Sequence, residues 1–156
     1  MLPVTEQHEW LQSTAGSWRV SCQYFVEDGA PPMDAEGIDQ VTMVGGFWRE
    51  SHFQAEVLGS TTIGRMLLGY DPSLRCFVGS WCDSSNPFLY TYKGQLNEAQ
   101  DTLELIGDNI DPTSGQPARY RSVEKLESSD RRTMELFVKL PDGGEFQVLR
   151  YQYDRT

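Results

Sequence analysis

Thr133-Met134-Glu135-Leu136-Phe137-Val138-Lys139-Leu140, followed by Pro141-Asp142-Gly143-Gly144, is the stretch from which the fold can be read. Met134, Leu136, Val138 and Leu140 alternate with Thr133, Glu135 and Lys139. A period of two marks a strand with one face against a core. The Pro-Asp-Gly-Gly that ends it supplies the positive-φ residues of a hairpin. The following run must then return antiparallel beside it, because parallel neighbours need crossovers of about a dozen residues or more.

Working outward, the pattern repeats along the chain. Ten strand-like runs are predicted: 17–26, 35–44, 46–58, 61–70, 75–84, 87–96, 101–109, 118–127, 131–140 and 144–153. The breaks are chemically sensible. Glu27-Asp28-Gly29-Ala30-Pro31-Pro32 cannot continue a strand, and Tyr70-Asp71-Pro72-Ser73 and Ser84-Ser85-Asn86-Pro87 are turns. Gly45-Gly46 sits between two runs with no polar loop, which suggests a sharp corner or bulge. Only the 27–34 and 110–117 gaps are long, and neither looks helical. A meander of ten twisted strands curls on itself, and closure removes both exposed edges. The expectation is one all-β domain over 1–156, an up-and-down antiparallel barrel. A two-sheet sandwich is the alternative. One short helix is expected from Thr5 to Thr14, capped by Thr5, stopped by Gly16 and held by docking Trp10 and Leu11. His8 on that helix is expected to be exposed.

The chain of 156 residues carries 23 acids against 13 bases, a formal charge of −10. Such a surface repels nucleic acid and anionic membranes, so neither is an expected partner. Arg119, Arg121, Arg131 and Arg132 are a local exception, balanced by Glu124, Glu127 and Asp130. The opening residues lack the basic start and apolar run of a secretory leader, and no run reaches the ~20 residues of a membrane span. Cys22, Cys76 and Cys82 leave one over in any disulfide scheme. Together these point to free thiols and a cytoplasmic location.

Gly16-Ser17-Trp18 follows the helix and opens the first strand. Gly ends the helix and the indole plugs the barrel floor, an arrangement that resembles lipocalins and other calycins. There an Arg of the last strand lies over the Trp. Arg150, and failing it Arg155, is the residue expected to do so here. A closer resemblance covers about Glu6 to Arg155. Glu9-Trp10-Leu11, Gly16-Ser17-Trp18, Gly45-Gly46-Phe47-Trp48, Leu68-Gly69-Tyr70-Asp71-Pro72, Phe77-Val78-Gly79-Ser80-Trp81-Cys82-Asp83-Ser84 and Tyr120-Arg121 occur in this order. In this the chain resembles the DUF1579 family of small bacterial proteins of unknown function. The resemblance implies a calycin-like barrel and no particular reaction. Cys82 departs from the apolar residue expected at its position.

Two strand faces are candidates for chemistry. A regular hairpin at 84–87 sets Trp81 opposite Tyr90 and Gly79 opposite Tyr92. Phe77, Gly79, Trp81 and Asp83 then share one face. Gly79 would leave a notch that the Tyr92 ring covers. An aromatic wall ending in one carboxylate suits a ligand pocket. A packed core with Asp83 capping the turn fits the same residues. The second face is Trp48-x-Glu50-x-His52, where His52 is a polar contact, a base or a plain strand histidine. The expected binding residues are Trp48, Trp81 and Tyr92 as walls, with His52, Asp83 and Arg121 fixing polar ends.

Other chemistries find no support. The Cys76, Cys82 and His52 spacing is not that of a zinc site. No glycine-rich loop precedes a helix, and no Gly-x-Ser-x-Gly elbow occurs. Residues 118–156 contain no His to serve as an axial haem ligand, although Tyr or Met can take that place; no cofactor is expected. Three readings remain: a barrel holding a small apolar or aromatic molecule, an enzyme using Asp83 or Glu50 with His52, and a filled barrel acting through its surface or as a homodimer.

Overall fold

A computed structural model describes residues 1–156. One helix, α1 (Glu6–Ser13), precedes ten strands: β1 (Gly16–Tyr24), β2 (Met33–Val44), β3 (Trp48–Val57), β4 (Ser60–Asp71), β5 (Cys76–Asp83), β6 (Tyr90–Leu96), β7 (Thr102–Ile110), β8 (Pro117–Ser128), β9 (Arg131–Lys139) and β10 (Glu145–Arg155). Each strand pairs antiparallel with its chain neighbours, and β1 pairs with β10 to close the barrel. The expected barrel is what forms. No helix is long and apolar enough to cross a membrane.

Local chemistry explains the differences in boundary. β6 begins at Tyr90 rather than at 87. Pro87 has no N–H for a ladder, and the Asn86 side chain accepts the Phe88 N–H at 3.0 Å, which holds the turn open. The β3–β4 hairpin turns on Leu58 and Gly59, both at positive φ, the backbone of a two-residue turn that follows strand twist. β10 bulges between Gln147 and Leu149, so that Val148 and Leu149 both face inward.

The barrel has a closed end and an open one. Helix α1 caps the closed end, where Trp10, Leu11, Leu68, Phe77 and Leu103 form a dry core. His8 is buried in this contact rather than exposed. Its Nδ1 accepts the Thr5 N–H at 3.0 Å and its Nε2 reaches the Tyr70 carbonyl at 3.0 Å, so the ring ties helix to β4. Loops 25–32, 58–59, 84–89, 111–116 and 140–144 ring the other end.

Trp18 is the plug, 2% exposed, with its indole N–H donating to the Thr14 carbonyl at 3.0 Å. Arg155 lies over it at 4.2 Å, and Arg132 approaches the same ring at 4.9 Å. Arg150 is not the partner. Tyr151, Tyr153 and Arg155 share the inward parity of β10, whereas Arg150 pairs with Gln23 and faces out. Arg155 also donates to the carbonyls of Ala15 at 2.6 Å and Ser13 at 3.0 Å, capping the end of α1. A Cβ on Gly16 would strike its guanidinium, and Gly16 sits at φ +131, so glycine is required there twice over.

Trp18→Ala is expected to cost ~3–5 kcal/mol in denaturant unfolding, the usual loss for a buried large aromatic. Arg155→Ala costs less. In a double-mutant cycle the two losses are non-additive, whereas Arg150→Ala adds independently.

Candidate functional site

Inside the barrel, above the plug, lies a cavity of about 390 Å³. Its floor is a chain of four charged side chains contributed by four strands. Arg49 of β3 meets Glu124 of β8 through two parallel bonds of 2.9 Å. Arg132 of β9 reaches Asp39 of β2 at 2.9 Å and Glu124 at 3.4 Å. Arg49 also donates to the Thr14 hydroxyl at 3.2 Å, joining the floor to the end of α1. Both arginines are 2% exposed. The Arg132 guanidinium is sandwiched between Trp18 and Tyr153, 3.6 Å above the latter ring.

Alternation puts these groups inside. Arg49, Ser51, Phe53 and Ala55 share the inner face of β3, and Tyr120, Ser122 and Glu124 that of β8. Burial pushes the Glu124 carboxyl up, but the charges and hydrogen bonds of Arg49 and Arg132 outweigh it and hold the group at about 2. Burial wins at Asp39, whose carboxyl is raised despite Arg132 and Arg49. One Asp39 oxygen and the Nε of each arginine have no partner and are sealed from the cavity.

The walls are mainly aromatic. Phe53 stacks on Tyr151 at 5.2 Å, and Tyr151 shares a hydroxyl bond of 2.8 Å with Tyr24. Across the cavity Tyr90 and Tyr120 meet edge to face at 5.7 Å. Tyr92, Leu105, Met66 and Met134 also line it, with the hydroxyls of Ser51 and Ser122 among the few polar groups.

The residues expected from sequence divide between the two sides of the sheet. Trp81, Asp83 and Tyr92 line the cavity, with Trp81 opposite Tyr90 and Gly79 opposite Tyr92 as read. The Trp81 indole donates to Asp83 at 2.9 Å, and its ring lies on Gly64, where a side chain would collide with it. Asp83 also accepts the Ser85 N–H at 2.8 Å, so one carboxylate caps the turn and holds the indole. The notch at Gly79 is not covered by Tyr92. The Leu68 side chain and the Leu67 backbone fill it. Trp48, His52 and Arg121 lie outside the cavity. Trp48 is 38% exposed and covers Gly69 on the outer face of β3. His52 meets Glu50 at 3.1 Å on the same outer face, so neither joins Asp83. Arg121 lies 4.6 Å over Phe137 and is bonded to Glu145 at 2.9 Å. No group of three or more His, Cys, Asp or Glu is arranged to hold a metal ion, and the three cysteines are free.

Sequence reasoning passed over the floor. Its signal was present: Arg132 extends the inward series Met134, Leu136, Val138, and two acids and two arginines stand at inward positions of four strands.

Fold and site together define an up-and-down β-barrel protein with a ligand-sized interior, open at one end and floored by ion pairs. The chain belongs to the family described as protein of unknown function (DUF1579), whose profile matches residues 4–155. No curated protein matches the sequence. Among solved structures it is similar to Rv2717c from M. tuberculosis, with 13% identity, 99% of each chain covered and a TM-score of 0.73. It is also similar to the S-type phycobiliprotein lyase CPES from Guillardia theta, with 13% identity, 95% of this chain and 91% of that one covered, and a TM-score of 0.62. A third likeness is to EF1p2_mFAP2b bound to DFHBI, with 12% identity, 96% and 99% covered, and a TM-score of 0.52.

Glu124→Gln leaves two buried guanidiniums facing one carboxylate and is expected to cost ~3–5 kcal/mol near neutral pH. The Glu124 carboxyl is depressed in the folded state, so its contribution is present above its ordinary value of 4.5 and fades as pH falls toward 2. Urea midpoints of the two proteins should therefore converge over that interval.

Proposed function

We propose that this protein binds a small, partly apolar molecule inside its barrel. The observation that carries the reading is the cavity of about 390 Å³, open to solvent at the loop end and walled by Phe53, Trp81, Tyr90, Tyr92, Tyr120 and Tyr151. That volume and that mixture of rings with a few polar tips suit a ligand of drug-like size. Similarity of fold adds support, since a phycobiliprotein lyase and a protein bound to DFHBI share it. The alternative enzymatic reading divides: Asp83 and His52 stand on opposite faces of the sheet, whereas Glu50 and His52 meet at 3.1 Å on the outer face, away from the cavity. A cytoplasmic setting fits the free thiols.

Trp81 is a cavity wall whose indole is held in place by its bond to Asp83 and its seat on Gly64. An uncharged environment-sensitive dye, Nile red, is expected to bind the native protein and to quench tryptophan emission. Trp81→Ala should weaken the dye roughly tenfold, or ~1.4 kcal/mol, while destabilising the fold less than Trp18→Ala. A native protein that leaves the dye in water, together with equal destabilisation by both alanines, would overturn the binding reading in favour of a filled barrel.

A further inference from the structure

The cavity carries three phenol hydroxyls that no group in the protein serves. Tyr92, Tyr120 and Tyr153 are 7%, 5% and 6% exposed, and all three line the cavity. None has a hydrogen-bond partner, unlike Tyr24 and Tyr151, which bond each other. They are spread in depth. Tyr120 stands in the upper part of β8, Tyr92 one inward step below Tyr90 on β6, and Tyr153 low on β10 beside the charged floor. Their oxygens open onto the cavity and bond nothing in the protein, so a partner for each can come only from what the cavity holds. Burial raises all three phenols, Tyr120 to about 12, which keeps them protonated and able to donate across the ordinary pH range.

Charge narrows the class further. Asp39, Asp83 and Glu124 line the cavity against Arg49 and Arg132. Every terminal nitrogen of the two arginines is already bonded to Glu124, Asp39 or Thr14. Their remaining Nε atoms are sealed off. An anionic group entering here would lose its water and find no free cation, with carboxylates in excess around it. Asp83 is likewise engaged, by Trp81 and Ser85. The groups left to recognise a ligand are neutral donors set in aromatic walls.

We infer that the ligand is an uncharged, flat, conjugated molecule whose rim carries hydrogen-bond acceptors, carbonyl oxygens or ring nitrogens, which the hydroxyls of Tyr92, Tyr120 and Tyr153 engage. This rests on the binding reading above and names the chemistry of its occupant. It orders affinities by ligand charge and by the presence of an acceptor on an otherwise constant ring.

The test uses three fluorescent probes on one ring system: pyrene, 1-pyrenecarboxaldehyde and 1-pyrenecarboxylate. Each is titrated into the wild-type protein and into the triple variant Tyr92→Phe/Tyr120→Phe/Tyr153→Phe. Because these hydroxyls make no bond within the protein, the variant retains the fold, which circular dichroism checks. The three single variants give smaller steps of the same effect. The aldehyde should bind the wild type at least about tenfold tighter than the carboxylate. The triple variant should weaken the aldehyde by about tenfold and leave pyrene unchanged. If the carboxylate binds as well as the aldehyde, or the triple variant keeps the aldehyde's affinity while pyrene binds both proteins, recognition by the hydroxyls is overturned and the binding barrel stands. If none of the three probes binds the wild type, the binding reading itself falls and this inference with it.

Discussion

The interior is organised by one buried ion-pair chain, Asp39–Arg132–Glu124–Arg49, which crosses from β2 to β9, β8 and β3. Four charges stripped of water cost several kcal/mol each, and their mutual attraction offsets that only when the geometry is nearly complete. The parallel Arg49–Glu124 bonds and the Arg132 sandwich supply that geometry. The chain also fixes distance. Strands on opposite sides of the barrel are held at the span of two interlocked side-chain pairs, so the wall cannot collapse inward at this level.

Everything below that level is packed, and everything above it is room. Toward α1 the apolar residues interdigitate around Leu68, Phe77 and Leu103. Toward the loops the rings are large but line the wall as panels, with Phe53 against Tyr151 and Tyr90 against Tyr120. A purely apolar floor would place no such limit on how far the upper side chains could settle. The charged layer therefore acts as a spacer as well as a seal, and the cavity follows from it.

Much of this architecture was legible in the sequence. Alternation in each run and turn chemistry at each break were enough for ten strands, because both are local. Which face turns inward is not local. On β3 the aromatic and titratable residues Trp48, Glu50 and His52 looked like the interior set, yet Arg49, Ser51 and Phe53 point inward. An arginine belongs inside only if a carboxylate from β8, far along the chain, meets it. The Arg155 latch follows the same logic at shorter range: counting parity from Tyr151 and Tyr153 selects it over Arg150. Trp81, Asp83 and Tyr92 were readable because one hairpin register decides all three. The filling of Gly79 by Leu68 was not, since it depends on how deeply a side chain of the preceding strand leans over.

The seam between β1 and β10 sets Trp18 beside Arg155, with almost the whole chain between them. Nine of the ten strand pairings join sequence neighbours and can form as each hairpin leaves the ribosome. The tenth cannot begin until Leu149 has been made, and it is complete only with Arg155. Until then β1 waits with one edge unpaired and Trp18 lacks its cover, a state open to association with other chains. Closing so long a loop is also the slowest kind of contact to establish. Folding is thus a race between β10 emerging and the first strand finding the wrong neighbour, and the pressure falls on the speed of that closing zip.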